Sequence, residues 1–127
     1  MSKLICIIPA RDEASRVKTV VEVALKSPLI TGGVWVVDNC SKDDTAQVAK
    51  MAGANVLVCA KPGKGDAVAY AVKCLAAHND TILMLDADLK GLRQDHLEKL
   101  IRPVITGECV QSGGVRDGWW WRKFYWR

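Results

Sequence analysis

Asp86 and Asp88 stand one residue apart in the stretch "LMLDADLKG", directly after a run as apolar as residues 81–85. Unpaired charge beside a core is costly or drives the group toward its neutral form, so a positive partner is expected close by. Carboxylates two positions apart on an extended chain share a face. Hard oxygen donors on a short turn suit Mg²⁺ or Mn²⁺, ions that keep several waters and share their coordination with substrate phosphates. The chemistry this suggests is a divalent cation bridging a diphosphate. One D-x-D pattern is about what chance supplies in a chain of this composition, and a solvated strand-to-loop corner is the plain alternative. Position has to decide.

Three other charged or glycine-rich clusters compete for attention. Pro9, Ala10, Arg11, Asp12 and Glu13 follow one apolar run, Asp38 and Asn39 close a second, and Lys61-Pro62-Gly63-Lys64-Gly65 follows a third. Lys64, in a glycine-flanked loop that opens a helix, can add a point charge to substrate phosphates with helix N–H groups behind it, or can be a solvated lysine on a turn. Asp38 can accept hydrogen bonds from a base or ribose, as acidic strand-end residues do in nucleotide-binding sheets, or can help cap the helix expected from Ser41. His78 and His96 fall outside these clusters and are assigned no role.

The elements that must position these residues alternate. Residues 4–8, 34–37, 55–58 and 81–85 read as strands. Between them, Val17, Val20, Val21, Ala24 and Leu25 recur on one helical face. Ser41 with Asp44 suggests a capping-box start for a helix continuing through Thr45, Val48, Ala49 and Ala52 to Gly53. Residues 64–77 form an Ala/Val-rich segment predicted to be a helix packed between elements. Leu97, Leu100, Ile101 and Val104 give a fourth helical face, closed near Pro103 and Gly107. Strict β/α alternation with continuous apolar strands predicts a mostly parallel α/β sheet with helices on both faces. Such sheets bind ligands at the carboxyl ends of their strands, which is where all four clusters fall.

With 127 residues the chain is expected to fold as one domain, and 50% hydrophobic with 25% charged residues is a globular composition. No apolar run approaches the length of a membrane span, and "MSKLICIIPARDE" is too soon acidic for a signal peptide. Five cysteines without a C-x-x-C read as buried reduced thiols, which predicts the cytoplasm. The net charge of +4 is concentrated after residue 115, so the body is not a general nucleic-acid binder. There is no G-x-G-x-x-G after the first strand, no G-x-x-x-x-G-K-[ST] and no G-x-S-x-G, which argues against a dehydrogenase, a P-loop enzyme and a serine hydrolase.

Taken in order, "IIPARDEASRV", "VVDNCSKDDTAQVA", "KPGKGDAVAYAV" and "ILMLDADLKGL" resemble the sequence blocks of the family 2 nucleotide-sugar glycosyltransferases with the GT-A (Rossmann-like) fold. The likeness covers roughly residues 3–117 and is nearest the polyprenyl-phosphate and phosphoglycerate glycosyltransferase branch. It implies a donor site for a UDP- or GDP-linked sugar in which Pro9, Ala10, Arg11 and Glu13 line the nucleotide pocket and Asp38 holds the nucleoside. It further implies that Lys64 lies near the phosphates, that Asp86 and Asp88 are the metal and sugar-nucleotide carboxylates, and that Mg²⁺ or Mn²⁺ is the cofactor.

Two departures stand out. Asn39-Cys40 replaces the more usual Asp-Gly, and the sequence stops where the family's acceptor-binding half is expected to begin. With a hydroxyl acceptor, Asp117 is the nearby candidate base. An acceptor phosphate is already anionic and needs none, and Arg116 is then the candidate to hold it. The alternative is a catalytically silent nucleotide-sugar-binding module, or a fragment that needs a partner chain.

The expected division is a nucleotide-sugar-binding domain over residues 1–117 and an aromatic, basic tail over residues 118–127, which holds six of the eight aromatic residues. The tail suits a membrane surface beside a lipid-phosphate acceptor, stacking on a nucleic-acid acceptor, a subunit interface, or the cover of an exposed face of the domain. Because an exposed patch of that size is unusual on a monomer, a homo-oligomer is expected, cytoplasmic and able to sit peripherally on a membrane.

Overall fold

Four apolar strands form one sheet, and their residue patterns decide which helix covers which face. The computed structural model describes residues 3–76, 80–107, 114–116 and 119–121. Its elements run β1 (Leu4–Ala10), α1 (Val17–Leu25), β2 (Val34–Asn39), α2 (Thr45–Met51), β3 (Asn55–Cys59), α3 (Lys64–Leu75), β4 (Thr81–Met84), α4 (Gln94–Ile105), β5 (Gly114–Arg116) and β6 (Trp119–Trp121). The sheet order is β3-β2-β1-β4, and every pairing in it is parallel. The last two strands form an antiparallel pair in which Arg116 lies opposite Trp119.

The chain steps from β1 to β2 to β3 in one direction and then returns past β1 to β4. Right-handed crossovers therefore place α1 and α2 on one face and α3 on the other. The packing agrees. Leu4, Cys6, Ile8 and Leu83 share a core with Val17, Val20, Val21 and Ala24 of α1 and with Leu97, Leu100 and Ile101 of α4. On the opposite face Ile5, Ile7, Val37, Ile82 and Met84 pack against Ala67 and Ala71 of α3. The parallel sheet with helices on both faces is thus as expected. β1 is buried along its whole length, as a strand flanked on both edges and covered on both faces must be.

Several local expectations are corrected. α2 begins at Thr45 rather than near Ser41: Asp44 is its N-cap residue but makes no side-chain cap bond, and the Ser41 hydroxyl is engaged elsewhere. The Thr45 amide and hydroxyl both turn to Asp43 Oδ1, and Ser41 Oγ accepts an N–H from a different loop. α3 ends at Leu75, and among its described side chains only Ala67 and Ala71 are fully buried, so it lies on one face of the sheet and is not enclosed. Tyr70 is 41% exposed.

Pro103 does not close α4, which continues to Ile105. The hydrogen bond it forfeits is to the carbonyl of Lys99, an exposed residue whose carbonyl water can satisfy. The thiols divide: Cys6 and Cys59 are buried, Cys40 and Cys74 are exposed, and all four are free, while Cys109 lies outside the described residues. Leu25, on the apolar face of α1 by spacing, is 45% exposed at the helix end. No helix among the described residues is long and apolar enough to cross a membrane.

Candidate functional site

The chain leaves β1 toward β2 and reaches β4 on the opposite side, so strand order reverses at the β1–β4 pair. A crevice opens there at the carboxyl ends of the strands. It has a volume of about 390 Å³ and is lined by Pro9, Ala10, Arg11, Glu13, Asn39, Gly63, Asp86, Ala87 and Asp88.

The wall after β1 is held by the loop after β2. Asp12 takes the left-handed region at φ +53, and its N–H donates to Ser41 Oγ at 3.0 Å. The Glu13 N–H donates to Thr45 Oγ1 at 2.9 Å, and the Ala14 N–H to Asp43 Oδ2 at 3.2 Å. In return the Lys42 N–H donates to Asp12 Oδ1 at 2.6 Å. Thr45 is fully buried. Hydrogen bonding to Thr45 is the main reason the Asp43 carboxyl is held below the usual carboxylate range; the Ala14 and Thr45 amides add to it. Four bonds therefore fix Arg11 and Glu13 at the cleft. Arg16 Nε lies 2.7 Å from Glu13 Oε2, yet off the line needed for a hydrogen bond, so this buried oxygen is ion-paired without being hydrogen-bonded.

The floor comes from β4. Pairing continues one residue past that strand, with the Leu85 N–H donating to the Ile7 carbonyl at 3.1 Å. Leu85, Ala87 and Leu89 are all buried in the α1–α4 core, so Asp86 and Asp88, which alternate with them, line the cleft. Both aspartates are half-buried. No described residue makes a hydrogen bond or ion pair with Asp88.

On the third side Asn39, 3% exposed, clasps the loop after β3. Its Nδ2 donates to the Gly63 carbonyl at 2.7 Å, and its Oδ1 accepts the Gly63 N–H at 3.3 Å. Gly63 sits at φ +120, a conformation open to glycine, and caps α3, so Lys64 is the first residue of that helix.

Six of the residues expected at the site therefore meet in one cleft: Pro9, Ala10, Arg11, Glu13, Asp86 and Asp88. Asp38 is not among the lining residues; it is half-buried and its Oδ1 accepts the Ser41 N–H at 3.3 Å. Arg116 lies in β5, and Asp117 is outside the described residues, as is His78. His96 stays out of the cleft, its Nδ1 accepting the Arg93 N–H at 3.0 Å at the start of α4. Asn39 and Gly63 stood in the expected clusters without a role of their own, and both line the cleft. The available signals were a polar residue in phase with the α3-facing Trp35 and Val37, and a Pro-Gly pair immediately before a helix.

The donor set fits a shared metal. Two half-buried carboxylates supply hard oxygens, and among the described residues no group of three or more His, Cys, Asp or Glu gathers to hold an ion alone. A cation here would need further oxygens from a substrate or water.

The model of the family described as "Glycosyl transferase family 2" matches residues 5–127. The chain belongs to that family. Within it, the glucosyl-3-phosphoglycerate synthase of Mycobacterium tuberculosis is 31% identical over 116 residues, spanning 83% of this chain and 35% of the synthase. The crystal structure of that synthase with Mn²⁺, UDP and glucosyl-3-phosphoglycerate superimposes with a TM-score of 0.73 at 23% identity, covering 84% of this chain and 41% of the other. Its complex with Mg²⁺ and UDP matches with the same score. The fold is the GT-A arrangement. The chain spans about a third of the length of its curated relative.

Proposed function

We propose that this domain is the donor-binding half of a metal-dependent glycosyltransferase that takes its sugar from a nucleotide diphosphate, with a UDP-linked sugar the first to test. The observation that carries this reading is a single cleft joining Asp88, a carboxylate with no partner among the described residues, to Arg11 and Glu13 on one side and the start of α3 on another. The bound nucleotides of the family relative support the same assignment.

In this reading Pro9, Ala10, Arg11 and Glu13 receive the nucleotide, with Asp38 behind them for the nucleoside. Lys64 and the first turn of α3 meet the phosphates, since helix N–H groups and a lysine both favour anions. Asp86 and Asp88 would hold Mg²⁺ or Mn²⁺ against the diphosphate. When bound, the ion neutralises charge developing on the departing nucleoside diphosphate. An acceptor oxygen attacks the anomeric carbon, and the bond to the diphosphate oxygen breaks. The acceptor carries a phosphate in this proposal, with Arg116 to hold it and Asp117 as base where the nucleophile is a hydroxyl. The aromatic segment 118–127 completes the acceptor side as a homo-oligomer contact or at a lipid-phosphate surface, ahead of a nucleic-acid acceptor.

Calorimetry with UDP- and GDP-sugars, with and without Mn²⁺, tests the reading. Metal-dependent binding is expected. Equal binding without metal, or none to any nucleotide sugar, overturns it. Because the cleft accounts for a donor but no acceptor site, a binding module that works with a partner chain is the second reading. Binding without transfer or sugar-nucleotide hydrolysis across phosphorylated and lipid-phosphate acceptors selects it.

A further inference from the structure

The Asn39 side chain is a buried amide that bonds both backbone groups of one residue, the N–H and the carbonyl of Gly63. Gly63 is not incidental. Its carbonyl also accepts the Ala67 N–H at 3.1 Å, the first turn of α3, so the same oxygen ties the helix start to the end of β2. Beside it, Cys40 takes φ +57 and places Sγ 3.6 Å from the Cys59 carbonyl and 3.3 Å from the Ala60 carbonyl. Consecutive side chains at the end of β2 thus stitch down consecutive parts of the β3–α3 loop. The far side of the loop is more loosely held, by Lys61 and Asp66 at 3.8 Å, both exposed.

We infer that Asn39 is a positioning residue for the phosphate arm of the donor: by clasping Gly63 it holds the start of α3, and with it Lys64, at the cleft. The inference rests on the donor-binding reading above. An amide suits the task because one group must donate to a carbonyl and accept from the N–H of the same residue. A carboxylate at position 39 can accept but cannot donate, and would face the Gly63 carbonyl oxygen with like partial charge. A protonated carboxyl restores the donor.

That difference makes the test. In Asn39→Asp, affinity for UDP with Mn²⁺ is expected to fall about tenfold relative to the unsubstituted chain near neutral pH, the scale of one lost hydrogen bond and one repulsion. The ratio of the two affinities should recover as pH is lowered toward about 5, where a carboxyl beside a carbonyl in a buried site regains its proton. Taking the ratio cancels the titration of Asp86 and Asp88, and of Asp38 and Asp66 on the neighbouring elements. Affinity for uridine, which has no phosphate, should change little. Gly63→Ala provides a second arm if Asn39→Asp does not fold. It keeps Asn39 but strains φ +120 and brings a methyl group to 3.3 Å from Asp66 Oδ2, so it too should weaken UDP more than uridine.

A UDP ratio that is flat with pH, or equal losses for UDP and uridine in the variant that folds, overturns the positioning role. If the unsubstituted chain binds neither UDP nor GDP, it is the donor-binding reading that fails, and the clasp is refuted as a donor-positioning device with it.

Discussion

The hydroxyl of Thr45, in the first turn of α2, accepts the backbone N–H of Glu13, in the loop after β1, at 2.9 Å. A residue with no exposure of its own therefore sets the position of one that lines the cleft. Thr45→Val keeps the shape and removes the acceptor. Stability should fall by about 1–2 kcal/mol, the cost of leaving a part-buried N–H and its neighbour Asp43 short of a partner. Nucleotide affinity should fall with it, while Thr45→Ser, which keeps the hydroxyl, should retain most of that affinity. Urea unfolding and nucleotide titration check the two halves. A Val variant as stable and as tight-binding as the parent would show the bond to be idle.

Asp43 shares that junction, and its depressed pKa gives the junction an acid limit. A carboxyl whose folded pKa lies below its ordinary 3.8 contributes stability that is fully present above the ordinary value and lost as pH falls through the folded one. The contact should therefore be insensitive to pH from neutrality down to about 4 and loosen below that. The Ala14 and Thr45 amide resonances should move together with a midpoint under 3.8. A midpoint above the ordinary value would contradict the hydrogen bonding described.

Asp88 separates stability from binding. No described residue pairs with it, and Asp86 sits two positions away, so neutralising it breaks no bond and relieves like charge. Asp88→Asn should unfold at the same temperature as the parent, or slightly above, while losing Mn²⁺-promoted nucleotide binding by tenfold or more on the scale of a lost metal ligand, about 1.4 kcal/mol or greater. Chelating the metal should make parent and variant alike. A variant that is destabilised and still responds to Mn²⁺ would place Asp88 in the structure and not at a metal.

What could be read from the sequence was what has a period. Val17, Val20, Val21 and Ala24 are buried as their spacing predicts, and so are Leu97, Leu100, Ile101 and Val104. The cleft was legible from one rule, that clusters following parallel strands converge, and it brought Arg11, Glu13, Asp86 and Asp88 together. The contacts that hide were between loops far apart in sequence. Ser41 looks like a helix cap because capping is the local use for such a residue, whereas here its hydroxyl serves the amide of Asp12, and Asp43 holds the amide of Ala14 as well as that of Thr45 at the start of α2. The Ala/Val-rich sequence of α3 is apolar on too many sides to reveal which one meets the sheet.

Ala87 explains how two carboxylates can follow an apolar strand at all. It is 4% exposed and packs with Leu85, Leu89 and Leu92 in the core, pinning the middle of the D-x-D from beneath while its neighbours line the cleft. A larger side chain at so buried a position is expected to overpack the core and displace the flanking aspartates. Ala87→Val should cost about 1–3 kcal/mol as overpacking and weaken metal-dependent nucleotide binding in the same protein. Met51→Ala, at a position 81% exposed and remote from the cleft lining, should change stability by less than about 0.5 kcal/mol and leave binding alone. Thermal unfolding and calorimetry on both variants decide it. If Ala87→Val behaves like Met51→Ala, the core does not set the position of Asp86 and Asp88.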